Sequence, residues 1–356
     1  MTYSQKINAG RYFEHFKLNE VIQHATPRTI TAGDTALYIA LTGARNPLHC
    51  SAPFAHALGY ENMPVDDLLA FHIAFGKTVP DISVNAVANL GYADVRFLQP
   101  VFVGDTLSTS STVIGLKQNS NGKSGVVYVR STSVNQNQQP VLSWVRWVMV
   151  HKQDLNTAAP QTVVPELPAY VAPENLNIPQ QFSATGFEMQ ATGGNHYWED
   201  YQAGERINHP AGMTINDSDH SLATRLYQNN ARLHFDNHMM QSSAFGERLV
   251  YGGIVISACR SLSYEGLENA LTILAINGGT HANPCFAGDT IYSFTEVVDC
   301  WELPNRKDIG ALRLRMVGIK NASPADITDI KPAGSYHPHV VLDLDYTVLM
   351  PRKGNK

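Results

Sequence analysis

The chain has 356 residues, 44% of them hydrophobic and 16% charged, enough to bury a sizeable core and to form about two domains. A formal net charge of −5 and the lack of any Lys/Arg cluster supply no basic field, which argues against nucleic acid as a partner. No apolar run is long enough to span a bilayer, and the opening Met1-Thr-Tyr-Ser-Gln-Lys-Ile-Asn8 has neither the basic nor the apolar region of a secretory signal, so a cytoplasmic protein with no membrane partner is expected.

In chain order, the predicted elements are an entry segment, an apolar helix near residues 34–42, a second helix over Asp66 to Lys77, and a run of strands. The last of these, Trp144 to Val150, is apolar on nearly both faces, as in an interior strand or one covered by another layer. Residues 154–191 follow, with Pro160, Pro165, Pro168, Pro173 and Pro179, a composition that suits a semi-extended linker. The same order then recurs: a helix near 219–228, a second over Gly252 to Glu265, and strands in which Leu312, Leu314 and Met316 alternate with Arg313 and Arg315, and Leu342, Leu344 and Tyr346 with Asp343 and Asp345. The class is α+β, with a first domain over 1–153 and a second over 192–356. Cys50, Cys259, Cys285 and Cys300 lack metal-ligand spacing and read as buried reduced thiols, so no metal is expected.

The recurrence extends to residue identity. Adding 185 to Tyr12, Glu20, His24, Thr29, Asp34, Leu41 and His49 lands on Tyr197, Glu205, His209, Thr214, Asp219, Leu226 and His234. Gly104-Asp-Thr106 and Gly288-Asp-Thr290 match at 184 and read as turns into strands. The final strands, from Val141 and Val341, are 200 apart, so the second copy carries an extra loop around Asn321 to Pro338.

The two copies differ where chemistry would sit. Copy one reads Thr42-Gly-Ala-Arg-Asn-Pro-Leu-His49, and eighteen residues beyond His49 comes Asp67. Copy two reads Tyr227-Gln-Asn-Asn-Ala-Arg-Leu-His234, and eighteen residues beyond His234 comes Gly252. These stretches resemble the signature of the MaoC-like, R-specific enoyl-CoA hydratase superfamily: an Asp, then Asn-Pro, a His five residues after the Asp, and a later Gly whose N–H polarises a thioester. The resemblance implies a double hotdog, each half a curved antiparallel sheet around one long helix, with one working site in the second half. Glycine at a helix N-terminus lets a carbonyl approach free N–H groups and the positive end of the dipole, whereas aspartate would repel the developing enolate. His234 is therefore expected to take a proton from water, Gly252 and Gly253 to hold the thioester oxyanion, and Asn229, in the Asp position, to orient the water. Asp236 or Asp219 is the candidate for assisting proton transfer. Copy one has Ala44 in the Asp position, and its Asp66 and Asp67 are expected to cap a helix. His72, His151 and His238 read as surface or packing residues.

Longer stretches narrow the resemblance. Phe71-His-Ile-Ala-Phe-Gly-Lys-Thr-Val-Pro-Asp-Ile-Ser-Val-Asn-Ala-Val-Ala-Asn-Leu-Gly-Tyr92, Leu249-Val-Tyr-Gly-Gly253 and Asn283-Pro-Cys-Phe-Ala-Gly-Asp-Thr-Ile-Tyr292 are similar to the mesaconyl-CoA hydratase family. That similarity implies reversible hydration of an acyl-CoA thioester without metal or redox cofactor. A free carboxylate on such a substrate requires a cationic or hydrogen-bonding partner. Arg232, inside the His234 motif, is the candidate, with Arg225 and Arg260 nearby and Tyr251 as a second substrate-binding residue. The rival readings are a hydratase of a crotonyl- or itaconate-derived thioester, a hotdog acyl-CoA thioesterase, and a non-catalytic acyl-CoA-binding protein. A monomer or a homo-oligomer is compatible with all of them.

Overall fold

The computed structural model describes residues 6–354. Met1 to Gln5, part of the opening segment read for targeting, lie outside the described residues. The first half contains β1 (Val21–Thr29), α1 (Ala32–Thr42), α2 (Pro47–Cys50), α3 (Ala52–Ala57), α4 (Asp67–Ile82), β2 (Ala86–Phe97), β3 (Thr106–Gln118), β4 (Ser124–Val134) and β5 (Pro140–His151). After α5 (Met189–Thr192), the second half contains β6 (Arg206–Asn208), β7 (Met213–Thr214), α6 (Asp217–Leu226), α7 (Arg232–Phe235), α8 (Asn237–Met240), α9 (Gly252–Leu262), β8 (Thr272–His281), β9 (Thr290–Leu303), β10 (Arg306–Lys320) and β11 (Val340–Pro351). Among the described residues no helix is long and apolar enough to cross a membrane.

The sequence repeat is also a repeat of local interactions. Helix α1 begins with a reciprocal capping box between Thr31 and Asp34, and α6 begins with the same device between Asn216 and Asp219. His24 Nε2 lies 2.7 Å from Ser111 Oγ, and His209 Nε2 lies 2.9 Å from Thr295 Oγ1. At the Gly-Asp-Thr turns, Gly104 and Gly288 have φ of +100° and +95°, which favours glycine. Asp105 and Asp289 each accept a hydrogen bond from the backbone three residues earlier, at 2.8 Å in both.

The strands form a single antiparallel sheet in the order β1-β3-β4-β5-β2-β8-β11-β10-β9-β6, with β7 also on β9. The halves join where β2 pairs with β8, from Tyr92 opposite Gly279 to Arg96 opposite Ala275. The sheet wraps α4 and α9, and one apolar cluster runs through both halves, including Leu69 and Ile73 of α4, Trp144 of β5, Ile254 and Val255 of α9, and Tyr346 of β11. The predicted alternation has a physical counterpart on β11: Leu342, Leu344 and Tyr346 are buried, while Asp343 and Asp345 pair with Arg315 and Arg313 on the other face, at 2.8 and 2.6 Å.

Two helix ends differ from expectation. Helix α4 continues five residues past Lys77 and takes in Pro80, because it is buried from Leu68 to Val79 and packing outweighs the lost backbone bond. Helix α9 stops at Leu262, where Ser263 to Ala270 fold into turns around Gly266 at φ +95°. Between the halves, Val163 bridges to Leu116, the Val171 N–H donates to Asn277 Oδ1 at 2.9 Å, and Phe182 and Ala184 are buried. The extra loop of the second copy lies between β10 and β11 and contains two short 3-10 turns.

Candidate active site

The segment from Leu249 to Tyr251 is held on both sides before it enters α9. Leu249 N–H donates to the Leu233 carbonyl at 3.0 Å, and Val250 N–H donates to that of Cys285 at 2.9 Å. This clamp fixes His234 on α7, whose Nδ1 lies 2.9 Å from the Leu249 carbonyl oxygen. A carbonyl can only accept, so Nδ1 carries the hydrogen and Nε2 keeps its lone pair. Enclosure by protein lowers the His234 pKa to about 4. The bond to Leu249 opposes the shift, while His220 and His281 reinforce it. The imidazole is thus neutral at neutral pH and able to accept a proton.

Asn229 is buried and starts the turn into α7, its Oδ1 accepting from Ala231 N at 3.1 Å. Its side chain also meets the Tyr251 hydroxyl, which burial keeps protonated. The Tyr251 ring in turn packs edge-on against His234, with centroids 5.4 Å apart. Gly252 and Gly253 open α9, and Tyr251 at the cap provides no side-chain bond, so the first N–H groups of the helix are not consumed within it. A Cβ on Gly252 would lie 2.2 Å from the His281 ring, and one on Gly253 would lie 2.3 Å from the Tyr251 ring. Only glycine allows this approach.

These groups share a cavity of about 310 Å³, one wall of which comes from the first half: Phe71, His72 and Phe75 of α4, Tyr92 of β2 and Arg146 of β5. His281 Nε2 lies 3.1 Å from the Tyr92 hydroxyl, and His72 Nε2 lies 3.1 Å from Ser257 Oγ. Burial lowers the His281 pKa to about 4 and that of His72, with His281 nearby, to about 3. No Asp or Glu lines the cavity among the described residues, and Arg146 is its one cationic side chain there.

The structure therefore brings His234, Asn229, Tyr251, Gly252 and Gly253 together. It does not bring in Arg232 or Asp236, both of which are exposed and outside the cavity lining. Asp236 accepts from Met239 N at 3.0 Å and caps α8, while Asp219 is committed to the start of α6. Proximity in sequence misled here, because successive residues of one turn point in different directions. His72, read as a surface or packing residue, is the latter: it is fully buried in the cavity wall. Arg146 and His281 were missed altogether. A signal for Arg146 existed, since it shares the buried register of Leu142, Trp144 and Val148 on β5, where a charge is out of place. His281, at the end of β8, carried none.

The equivalent place in the first half is built differently. His49 Nδ1 faces the Pro64 carbonyl at 3.2 Å, as His234 faces Leu249. Asp66 caps α4 as expected, accepting from Leu68 N at 2.9 Å. Asp67 does not act as a cap; it crosses to the other half and accepts from Thr272 Oγ1 and Ile273 N, both at 2.8 Å. Its carboxylate lies 3.8 Å from His49 Nε2, and burial raises its pKa against the opposing pull of His49. The remaining space is about 20 Å³.

A family model described as mesaconyl-CoA hydratase matches residues 2–325. The chain belongs to the mesaconyl-CoA hydratase family. It is 55% identical to a β-methylmalyl-CoA dehydratase of Chloroflexus aurantiacus over 99% of this chain and 100% of that one. It is 53% identical to a mesaconyl-CoA hydratase of Cereibacter sphaeroides over 98% and 100%. Among solved structures, a MaoC-domain dehydratase from Chloroflexus aurantiacus superposes with a TM-score of 0.96 at 55% identity, covering 99% of this chain and 100% of that one. A Mycobacterium tuberculosis protein described as a double hotdog superposes at 0.75 and 24% identity, over 96% and 99%, which shows the same fold.

Proposed function

We propose that this protein reversibly adds water across the double bond of mesaconyl-CoA to form β-methylmalyl-CoA, in the cavity between its halves and without metal or redox cofactor. The observation that carries the reading is the neutral His234, its lone pair at Nε2 set by Leu249, in one cavity with the glycine-opened end of α9. His234 Nε2 takes a proton from water as the oxygen bonds to the β-carbon. The electron pair moves to the thioester oxygen, where the N–H groups of Gly252 and Gly253 stabilise the enolate. With Asp236 and Asp219 elsewhere, His234 returns the proton to the α-carbon. Asn229 and Tyr251 hold each other and orient the water. Cytoplasmic residence belongs to the same proposal.

The test follows the enoyl-thioester absorbance of mesaconyl-CoA with purified protein and with His234→Ala, checking product mass. Loss of absorbance with gain of one water is expected, slowed roughly 10²- to 10⁴-fold in the variant, the range of general base catalysis. Release of free CoA instead would replace this reading with a thioesterase, and binding without turnover would replace it with a carrier.

A further inference from the structure

The wall contributed by the first half holds a charged group that the hydration step leaves unused. Arg146 is 1% exposed, on the core-facing register of β5. Its guanidinium lies 4.4 Å over the Phe75 ring. It reaches Ser83 Oγ and the Thr78 carbonyl only at 3.5 Å each, and its Nε has no partner. Among the described residues no carboxylate pairs with it. Arg130 and Arg96 by contrast share Asp94, and Arg313 and Arg315 face Asp345 and Asp343. Burial lowers the Arg146 pKa to about 9, with Tyr251 opposing the shift, so it remains a cation at neutral pH. A buried guanidinium whose donors are poorly used is costly unless an anion completes it.

The placement suits one anion in particular. The second carboxylate of mesaconyl-CoA is bonded to the β-carbon, the atom water attacks, so its binding group must line the same cavity as His234, as Arg146 does from the facing half. The Tyr251 ring bridges the two, 5.4 Å from His234 and 6.4 Å from Phe75, on which Arg146 stacks. We infer that Arg146, supplied by the half without a working centre, binds the free carboxylate of the acyl chain and selects dicarboxylic over monocarboxylic thioesters. The inference rests on reading this cavity as the thioester site. It assigns to the first half the role that the sequence suggested for Arg232.

The test uses two unreactive ligands that differ in one group: succinyl-CoA ends in a carboxylate where butyryl-CoA ends in a methyl. Binding of each is measured calorimetrically to the full chain, to Arg146→Gln and to Arg146→Lys, alongside mesaconyl-CoA turnover. Succinyl-CoA affinity should fall roughly 10- to 100-fold in Arg146→Gln, the range of a charged hydrogen bond, while butyryl-CoA affinity moves less than about threefold. Arg146→Lys should recover part of the loss, because it restores charge but not the guanidinium fork. Equal weakening of both ligands would make Arg146 a packing residue, and no weakening of either would place the carboxylate elsewhere; each overturns the inference while wild-type turnover leaves the proposed function standing. Wild-type protein that fails to hydrate mesaconyl-CoA yet distinguishes the two ligands through Arg146 would overturn the function and leave the carboxylate site.

Discussion

His49 and His234 are the same residue in the two copies, each holding the carbonyl fifteen positions ahead through Nδ1, at 3.2 and 2.9 Å. Around His49 the space is about 20 Å³, and around His234 about 310 Å³. One position contributes directly to the difference. Asp67 opens α4 with a carboxylate that is consumed by Thr272 and Ile273 and lies over His49 Nε2, whereas Gly252 opens α9 with no side chain at all. A fold repeated in one chain can keep the positioning of a histidine and change the space around it, because positioning depends on local backbone and the space depends on what the neighbouring helix end leaves free. The first half still contributes: its α4 and β5 wall the cavity around His234.

The sharpest way to break this comparison is to move the first half's residue into the second. Gly252→Asp should abolish hydration, by about 10³-fold or more, since its Cβ would meet His281 and its charge would oppose the enolate. Gly252→Ala should lose less, with circular dichroism confirming that both variants fold. Turnover in Gly252→Asp within about tenfold of wild type would remove the glycine from the mechanism. Next in size, His234→Ala should cost roughly 10²- to 10⁴-fold in kcat, while His49→Ala leaves kcat within about threefold. Comparable losses in the two variants would mean that both halves work.

Asp67→Ala should leave the rate nearly unchanged and lower stability by about 1–3 kcal/mol in denaturant titration, because the buried donors of Thr272 and Ile273 lose their acceptor. The pH dependence sharpens the comparison further. His234 and His281, near 4, and His72, near 3, bind protons less readily folded than unfolded, where the value is about 6.5. Their contribution is therefore complete above about pH 6.5 and is lost as pH falls through about 4 for His234 and His281 and about 3 for His72. The acidic limb of kcat/KM should lie near 4, and a limb at 6.5 would show that His234 is solvated. The smallest effect is expected for Asp236→Ala: about 1 kcal/mol from the lost α8 cap, with kcat within about threefold.

Much of the candidate site was legible in the sequence. Asn229, His234, Tyr251, Gly252 and Gly253 lie on two short stretches, and a spacing of eighteen residues between a histidine and a helix-opening glycine survives folding because each end is fixed by local hydrogen bonds. Arg232 and Asp236 show where that reasoning stops, since both share the stretch but point to solvent.

The sequence by itself determined the duplication, the α+β order of elements, the cap at Asp66, and which half keeps glycine at its helix end. All of these are local patterns, repeated twice, in which a residue's role is decided by neighbours a few positions away. Only the tertiary structure decided that Asp67 is tied to β8 instead of capping its helix, and that His72, His281 and Arg146 meet His234 around one cavity. Those residues are far apart in the chain and come together because β2 pairs with β8 to join the halves into one sheet, and a contact made across that seam leaves no period or spacing in the sequence.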